Sequence, residues 1–157
     1  MQVKLIMPSG SSSIITLDKS IRVGQYFTLS ELANNNCQES IKYIISPKQM
    51  KFIEALDKHR AWYKKPMRLS CSYRSPSWNK QVGGKPNSLH LKAQAADVQI
   101  GRCTDLQAEH HAARWQAICE LMGEVGEIGF YDWGIHLGLG IEYSAHFYRF
   151  DNRTRKG

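Results

Sequence analysis

The chain has 157 residues, 42% hydrophobic and 22% charged, a globular composition long enough for one domain with its own core, so neither a disulfide framework nor disorder is called for. No apolar run approaches bilayer-spanning length, and a soluble protein without integral membrane association is expected. The formal charge of +7 implies attraction to anionic material, for which nucleic acid, anionic lipid and bacterial wall polymers all qualify.

The first stretch, MQVKLIMPSGSSSIITLDKSIRV, carries two β-like runs around a Gly/Ser-rich turn, which makes residues 1–24 a hairpin or a loose arm. Its apolar run, Val3 to Met7, is short and contains Lys4, so it is no secretory signal and synthesis in a cytoplasm is expected. "YFTLSELANNN" offers Thr28 or Ser30 as the cap of a short helix stopped by the asparagines. Ser46 and Pro47 then open a helix over 47–64, with Met50, Ile53, Leu56 and His59 or Arg60 at helical spacing. "MRLSCSY" alternates as a strand, "SPSWNKQVGG" reads as a short helix stopped by Gly83 and Gly84, and "AQAADVQIG" is strand-like again.

Thr104 caps a long helix ending at Gly123, with Leu106, Trp115, Ile118, Leu121 and Met122 as its expected core stripe. "EIGFYDWGIHLGLGI" reads as two short strands around a bend at Trp133 and Gly134, and "AHFYRF" as a last strand before the basic tail. The fold class is therefore α+β: a single domain whose sheet is mainly antiparallel and flanked by helices. The four cysteines, Cys37, Cys71, Cys103 and Cys119, form no CxxC and are expected to be reduced, packed thiols. Lysine and arginine are scattered, with no helix-turn-helix, RRM or zinc-finger wording, so nucleic acid is not the expected partner.

The chemistry concentrates around "NSLHLKAQAADVQ". In one helix His90 and Asp97 would lie about 10 Å apart along the axis, and in one strand over about 20 Å apart. Neither arrangement sets an imidazole nitrogen and a carboxylate oxygen on one ion at about 2 Å each, so the chain must turn between them if they act together. Ala93, Ala95 and Ala96 are small enough to permit it. A catalytic zinc site also needs a third protein ligand and an open position for water. His59 and His110 lie on helical patterns where a solvated or packed histidine is expected. The adjacent His110 and His111 cannot share one helix face. His136, flanked by glycines and apolar residues on a predicted strand, would make a two-histidine, one-carboxylate set with His90 and Asp97, although spacing alone fits satisfied structural histidines better.

The wider wording, "SCSYRSPSWNKQVGGKPNSLHLKAQAADVQ", resembles the signature of the zinc D-alanyl-D-alanine carboxypeptidase type of peptidoglycan peptidase, whose superfamily includes lysostaphin-like enzymes and the Hedgehog signalling domain. "YFTLSELANNN", "GEIGFYDWGIHLGLG" and "FYRFDNR" are similar to further phrases of the family, so the resemblance runs from about residue 25 to 153. It makes residues 25–157 a zinc peptidase domain. It implies Zn²⁺ held by His90, Asp97 and His136, leaving the site at net +1 and so favouring ionisation of a water. Arg74 would stabilise an oxyanion or hold a substrate carboxylate. Ser88 would be the hydrogen-bonding neighbour beside the first ligand, also in contact with substrate. Asn79 and Gly83–Gly84 would shape the loop.

Two departures stand out. Relatives usually carry an acid or histidine general base about three residues before the third ligand, where this chain has Trp133. Asp132 is the nearest candidate and needs a bend at Gly134 to reach the site; Glu127 is a poorer one. Many relatives also carry an acid two residues after that ligand, where this chain has Gly138, with Glu142 as a substitute. The implied function is hydrolysis of peptidoglycan stem peptides, as a D-Ala-D-Ala carboxypeptidase or an L-Ala-D-Glu type endopeptidase. It is expected of a monomer acting at the bacterial wall or periplasm in phage lysis or wall penetration. The alternative is a catalytically silent zinc-binding module of the same fold that binds wall fragments or a protein partner.

Overall fold

The computed structural model describes residues 2–16, 20–33 and 41–155. The asparagine cluster 34–36 and Cys37 lie outside them. Strands β1 (Gln2–Ile6) and β2 (Ser12–Thr16) form an antiparallel hairpin, and β1 also pairs in parallel with β5 (Ile41–Ile44), giving a small sheet of order β2-β1-β5. Between them β3 (Arg22–Val23) and β4 (Phe27–Thr28) make a second hairpin that leads into α1 (Leu29–Ala33). A capping box starts this helix: Glu31 N donates to Thr28 Oγ1 at 3.2 Å while Thr28 N donates to Glu31 Oε2 at 2.8 Å. Thr28, not Ser30, is the cap.

Helix α2 (Pro47–Tyr63) begins as its sequence dictates, with Ser46 Oγ accepting from Gln49 N at 3.0 Å and Pro47 at the first position, and it stops at Lys64 in the left-handed region. Its inner face is Phe52, Ile53, Leu56 and His59. Met50 is 61% exposed, because it points away from the face that those four residues share. Helix α4 (Asp105–Leu121) is opened by the Thr104–Gln107 capping box and buries Ala108, His111, Ala112, Trp115 and Ile118 at spacings of three and four. That stripe excludes two residues expected in it: Leu106 and Leu121 are 67% and 72% exposed.

The main sheet has five strands in the order β10-β8-β9-β7-β6, from β6 (Arg68–Cys71), β7 (Ala95–Gln99), β8 (Gly126–Tyr131), β9 (Gly134–Leu139) and β10 (Tyr148–Asp151). All neighbours are antiparallel except β8 and β10. His146, expected in the last strand, lies in the loop before β10. Helix α3 (Pro76–Gln81), capped by Ser75, and a 3₁₀ turn (Leu89–Lys92) fill the connection from β6 to β7.

Strand alternation gives the sheet two faces. One carries Ala96, Val98, Ile128, Phe130, Ile135 and Leu137, all essentially inaccessible, and belongs to the core cluster that also holds Phe52, Leu56 and Trp115. Burying each large side chain there contributes about 1.5–3 kcal/mol. Trp115 Nε1 also donates to Gly138 O at 3.0 Å, tying α4 directly to β9. The other face holds the polar residues.

Candidate active site

The register aligns Cys71, Asp97, His136, Gly129 and Phe150 in one row across all five strands, from β6 to β10. Two residues along lies a second row of Ala95, Gly138, Glu127 and Tyr148. Because the side-chain period of a strand is two, both rows point to the same face. Glycines in this floor make room for their neighbours. A Cβ on Gly138 would sit 2.7 Å from Glu127 Cγ, and one on Gly129 would sit 2.2 Å from the Phe150 ring.

His90 arrives from outside the sheet. Ser88 opens the 3₁₀ turn, its Oγ accepting from His90 N at 3.3 Å, and Ala93, in the left-handed region at φ 56°, reverses the chain into β7. The turn that the distance between His90 and Asp97 demanded is therefore present. Arg74 N donates to His90 O at 2.9 Å, and His90 Nδ1 donates to Ser72 O at 2.7 Å. The second bond fixes the tautomer and leaves Nε2 facing the cluster.

Nε2 of His90 lies 3.3 Å from Asp97 Oδ1, and His136 Nδ1 lies 2.9 Å from the same oxygen. The two rings are 5.1 Å apart between centroids, at 63°. The other nitrogen of His136 meets Glu127 Oε1 at 2.9 Å, and the Tyr143 hydroxyl donates to Glu127 Oε2. Burial disfavours charge on His90, yet Asp97 and Cys71 outweigh it and raise its pKa to about 10. His136 is raised as well, against burial, by Asp97 and Glu127. Burial pushes both carboxyls up, but the imidazoles overcome it and hold Asp97 well below the usual carboxylate range and Glu127 below its own. The pocket is built to hold positive charge.

A cavity of about 600 Å³ opens above this floor, lined by Arg74 and Lys85 toward the β6 side and by Tyr131, Tyr143, Tyr148 and Phe150 toward the β10 side. Arg74 Nη1 donates to Asn79 Oδ1 at 3.0 Å, and Asn79 Nδ2 donates to Lys85 O at 3.0 Å, so the asparagine braces both the arginine and the loop. Gly84 is required here, since a Cβ would fall 2.0 Å from Asn79 Oδ1. Arg74 Nε is buried without a hydrogen-bond partner among the described residues, a donor in want of an acceptor. Ser88 also lines the cavity.

Asp132 does not line it. With Trp133 it forms the two-residue turn between β8 and β9, and its carboxylate accepts from Arg102, from Thr154 N at 3.0 Å and from Thr154 Oγ1 at 2.5 Å. The hairpin closes too early for the bend at Gly134 to return Asp132 to His136. Glu142, the other substitute considered, is an exposed partner of Lys48 and Lys92.

The donor set suits a zinc ion. Donor atoms around a tetrahedral Zn²⁺ with ligands at about 2.0–2.1 Å stand about 3.3 Å apart, close to the separations across Asp97 Oδ1, and two imidazoles with a carboxylate form a usual catalytic set. Cys71 is a further donor: its ligand atom and those of His90 and Asp97 lie within 4.8 Å of one another, a group that leaves out His136, which joins the cluster through Asp97 Oδ1 at 2.9 Å. The family model for peptidase M15 matches residues 25–137, which contain all three proposed ligands and Glu127. The chain belongs to the peptidase M15 family. Members of it are metallopeptidases of the D-Ala-D-Ala peptidase kind and use zinc. No curated protein matches the chain. Among the described residues of this M15 peptidase, no helix is long and apolar enough to cross a membrane.

Glu127, the poorer base candidate on spacing because it is nine residues before His136, is the acid that the fold brings to that histidine. Its signal lay in the turn: a two-residue hairpin loop at Asp132–Trp133 places position 127 opposite 138, so the missing acid at Gly138 is matched by one directly across the ladder.

Proposed function

We infer that this M15 peptidase hydrolyses amide bonds in the stem peptides of bacterial peptidoglycan, as a D-Ala-D-Ala carboxypeptidase or an L-Ala-D-Glu type endopeptidase. One observation carries the inference: two imidazole nitrogens converge on a single carboxylate oxygen at the floor of an open cavity, with a second carboxylate hydrogen-bonded to the same His136. His90, Asp97 and His136 would hold the zinc ion, which when bound supplies Lewis-acid polarisation of the carbonyl and the attacking water.

Glu127, not Asp132, is the base in this scheme. It takes a proton from the water as the oxygen attacks the amide carbonyl, then returns it to the leaving amine as the C–N bond breaks. Arg74 offers its guanidinium to a substrate carboxylate from the β6 side, and Ser88 keeps the His90 backbone in place beside it. A monomer working at the cell wall, in phage lysis or wall penetration, fits the positive charge of +7 against an anionic polymer.

A second reading has Cys71 in its favour. Its thiol lies within 4.8 Å of the ligand atoms of His90 and Asp97, and were His136 to join these three, four protein ligands would make the closed arrangement of structural zinc sites, leaving a silent module that binds wall fragments or a protein partner. One experiment separates the two. Purified protein is analysed for zinc and incubated with peptidoglycan, and the fragments are read by mass spectrometry beside Glu127→Gln. New termini are expected, slowed about 10²–10⁴-fold in the variant with its zinc retained. Zinc without new termini would leave only the closed module, and a protein without zinc would sink both.

A further inference from the structure

We propose that Tyr143 is a further catalytic residue: its phenol, released from Glu127 when substrate enters, donates a hydrogen bond to the carbonyl oxygen of the scissile amide as negative charge develops there. This rests on the peptidase reading above. Tyr143 lies in the loop that joins β9 to β10, beyond the residues that the family model matches, and it lines the cavity. Its hydroxyl is already bonded to Glu127 Oε2, while the other oxygen of that carboxylate meets His136. The phenol hydrogen thus sits at the end of a continuous chain through Glu127, His136 and Asp97 to His90.

Three features make the phenol a transferable donor. Tyr143 is 51% exposed, so its ring can turn without opening a void in the core. It packs edge-on against Tyr148, with centroids 5.6 Å apart at 85°, a contact through the ring that leaves the hydroxyl to Glu127. Partial burial and the neighbouring Glu127 carboxylate hold the phenol above the ordinary tyrosine pKa, so it keeps its proton at neutral pH.

The bond to Glu127 also sets two demands against each other. A base needs an unencumbered oxygen, and Tyr143 occupies one of the two. Moving the phenol to the substrate relieves Glu127 and supplies an oxyanion donor in the same motion. Arg74 is less suited to that task, since Nη1 is held by Asn79 and the residue approaches from the β6 side, opposite Tyr143. No covalent change occurs at Tyr143: the water proton goes to Glu127 and then to the leaving amine, and the phenol keeps its own.

The test is Tyr143→Phe, which preserves the ring and its packing on Tyr148. It is assayed on peptidoglycan, and its affinity is measured for a phosphinate peptide whose tetrahedral phosphorus replaces the scissile carbonyl of the bond that wild type cuts. The expected result is a fall in kcat/KM of about 10²-fold with KM nearly unchanged, full zinc content, and phosphinate binding weakened by a similar factor. Activity within about threefold of wild type overturns the role of Tyr143 alone. A slower variant that binds the phosphinate as tightly as wild type also overturns it, since the tyrosine then only positions Glu127. Wild type that releases no new termini overturns this proposal together with the peptidase reading.

Discussion

Two pairs of histidines in this molecule have almost the same ring separation and opposite chemistry. His90 and His136 lie 5.1 Å apart on the cavity floor; His59 and His111, between α2 and α4, lie 5.2 Å apart and share a hydrogen bond of 2.9 Å. All four are buried. Burial drives His59 down to about 3 and His111 to about 4, helped by the charge of His111 and Arg114 on the first and of His110 on the second. The same burial acts on His90 and His136, yet both are raised, because Asp97 and Glu127 face them where Trp62, Tyr63 and Trp115 face the other pair. Burial alone makes a neutral core histidine. A carboxylate in the same pocket makes a cation site.

That contrast is most directly broken at Asp97. Asp97→Ala leaves two imidazoles facing each other with no anion between them, so metal content after dialysis should fall from near stoichiometric to below about a tenth, with peptide cleavage lost. His111→Gln, in the carboxylate-free pair, should leave metal content untouched. Retention of zinc by Asp97→Ala would remove the aspartate from the centre.

The next effect concerns how the second carboxylate reaches the site. Gly138→Ala places a methyl group 2.8 Å from Glu127 Oε1 and should push the carboxylate off His136, lowering kcat/KM by about 10²-fold with zinc retained. The acid can also be moved across the ladder. Because positions 127 and 138 are direct partners on one face, Glu127→Ala combined with Gly138→Asp should recover at least about tenfold over Glu127→Ala alone. No recovery would mean that the strand from which the acid projects matters.

A smaller effect separates the pairs by pH. Above about pH 6.5 His59 and His111 are neutral in both folded and unfolded chains and add no slope. Below it the unfolded chain takes up protons that the folded pair refuses. Stability therefore falls with falling pH, by up to about 1.4 kcal/mol per unit for each group, until the folded values of about 3 and about 4 are reached. Urea midpoints between pH 7.5 and 4.5 should show His111→Gln with a shallower acid slope than wild type. Identical slopes would mean that the pair is not neutral in the fold.

How much of this was legible beforehand depended on the range of the cause. Helix caps are local, and Ser46, Pro47 and Thr104 do what their residue types prescribe; the turn between His90 and Asp97 followed from distance alone, since Ala93 takes a left-handed conformation that its residue type disfavours. Helix faces were less secure: His59 takes an inward place on α2 while Met50, three residues before Ile53, does not, because packing by α4 and the sheet decides which flank is covered. The three residues that family wording singled out, His90, Asp97 and His136, meet at one carboxylate oxygen. The rest of the site was illegible where register fixed it. Cys71 stands beside Asp97 only through the pairing of β6 with β7 across a long connection, and Glu127 stands opposite Gly138 only because the β8–β9 hairpin closes in two residues; a shift of one residue would have turned each to the other face.

Asp132 is the clearest product of that difficulty, and its substitution should have the smallest effect. In sequence it lies four residues from His136, closer than any other acid before it. In space it caps the far end of the β8–β9 hairpin, where Gly134, at φ 153°, carries the chain so close to Val98 that a Cβ would fall 2.0 Å from its carbonyl oxygen. That tight return sends Asp132 out to Arg102 and Thr154, which hold its carboxyl below the usual range by hydrogen bonds and charge at the surface. Exposed pairs of this kind are screened by solvent and contribute little. Asp132→Asn should therefore keep kcat/KM within about threefold of wild type, with a slight loss of thermal stability as the tail at Thr154 loosens. A loss comparable to that of Glu127→Gln would return the base to Asp132 and require the hairpin to open during the reaction.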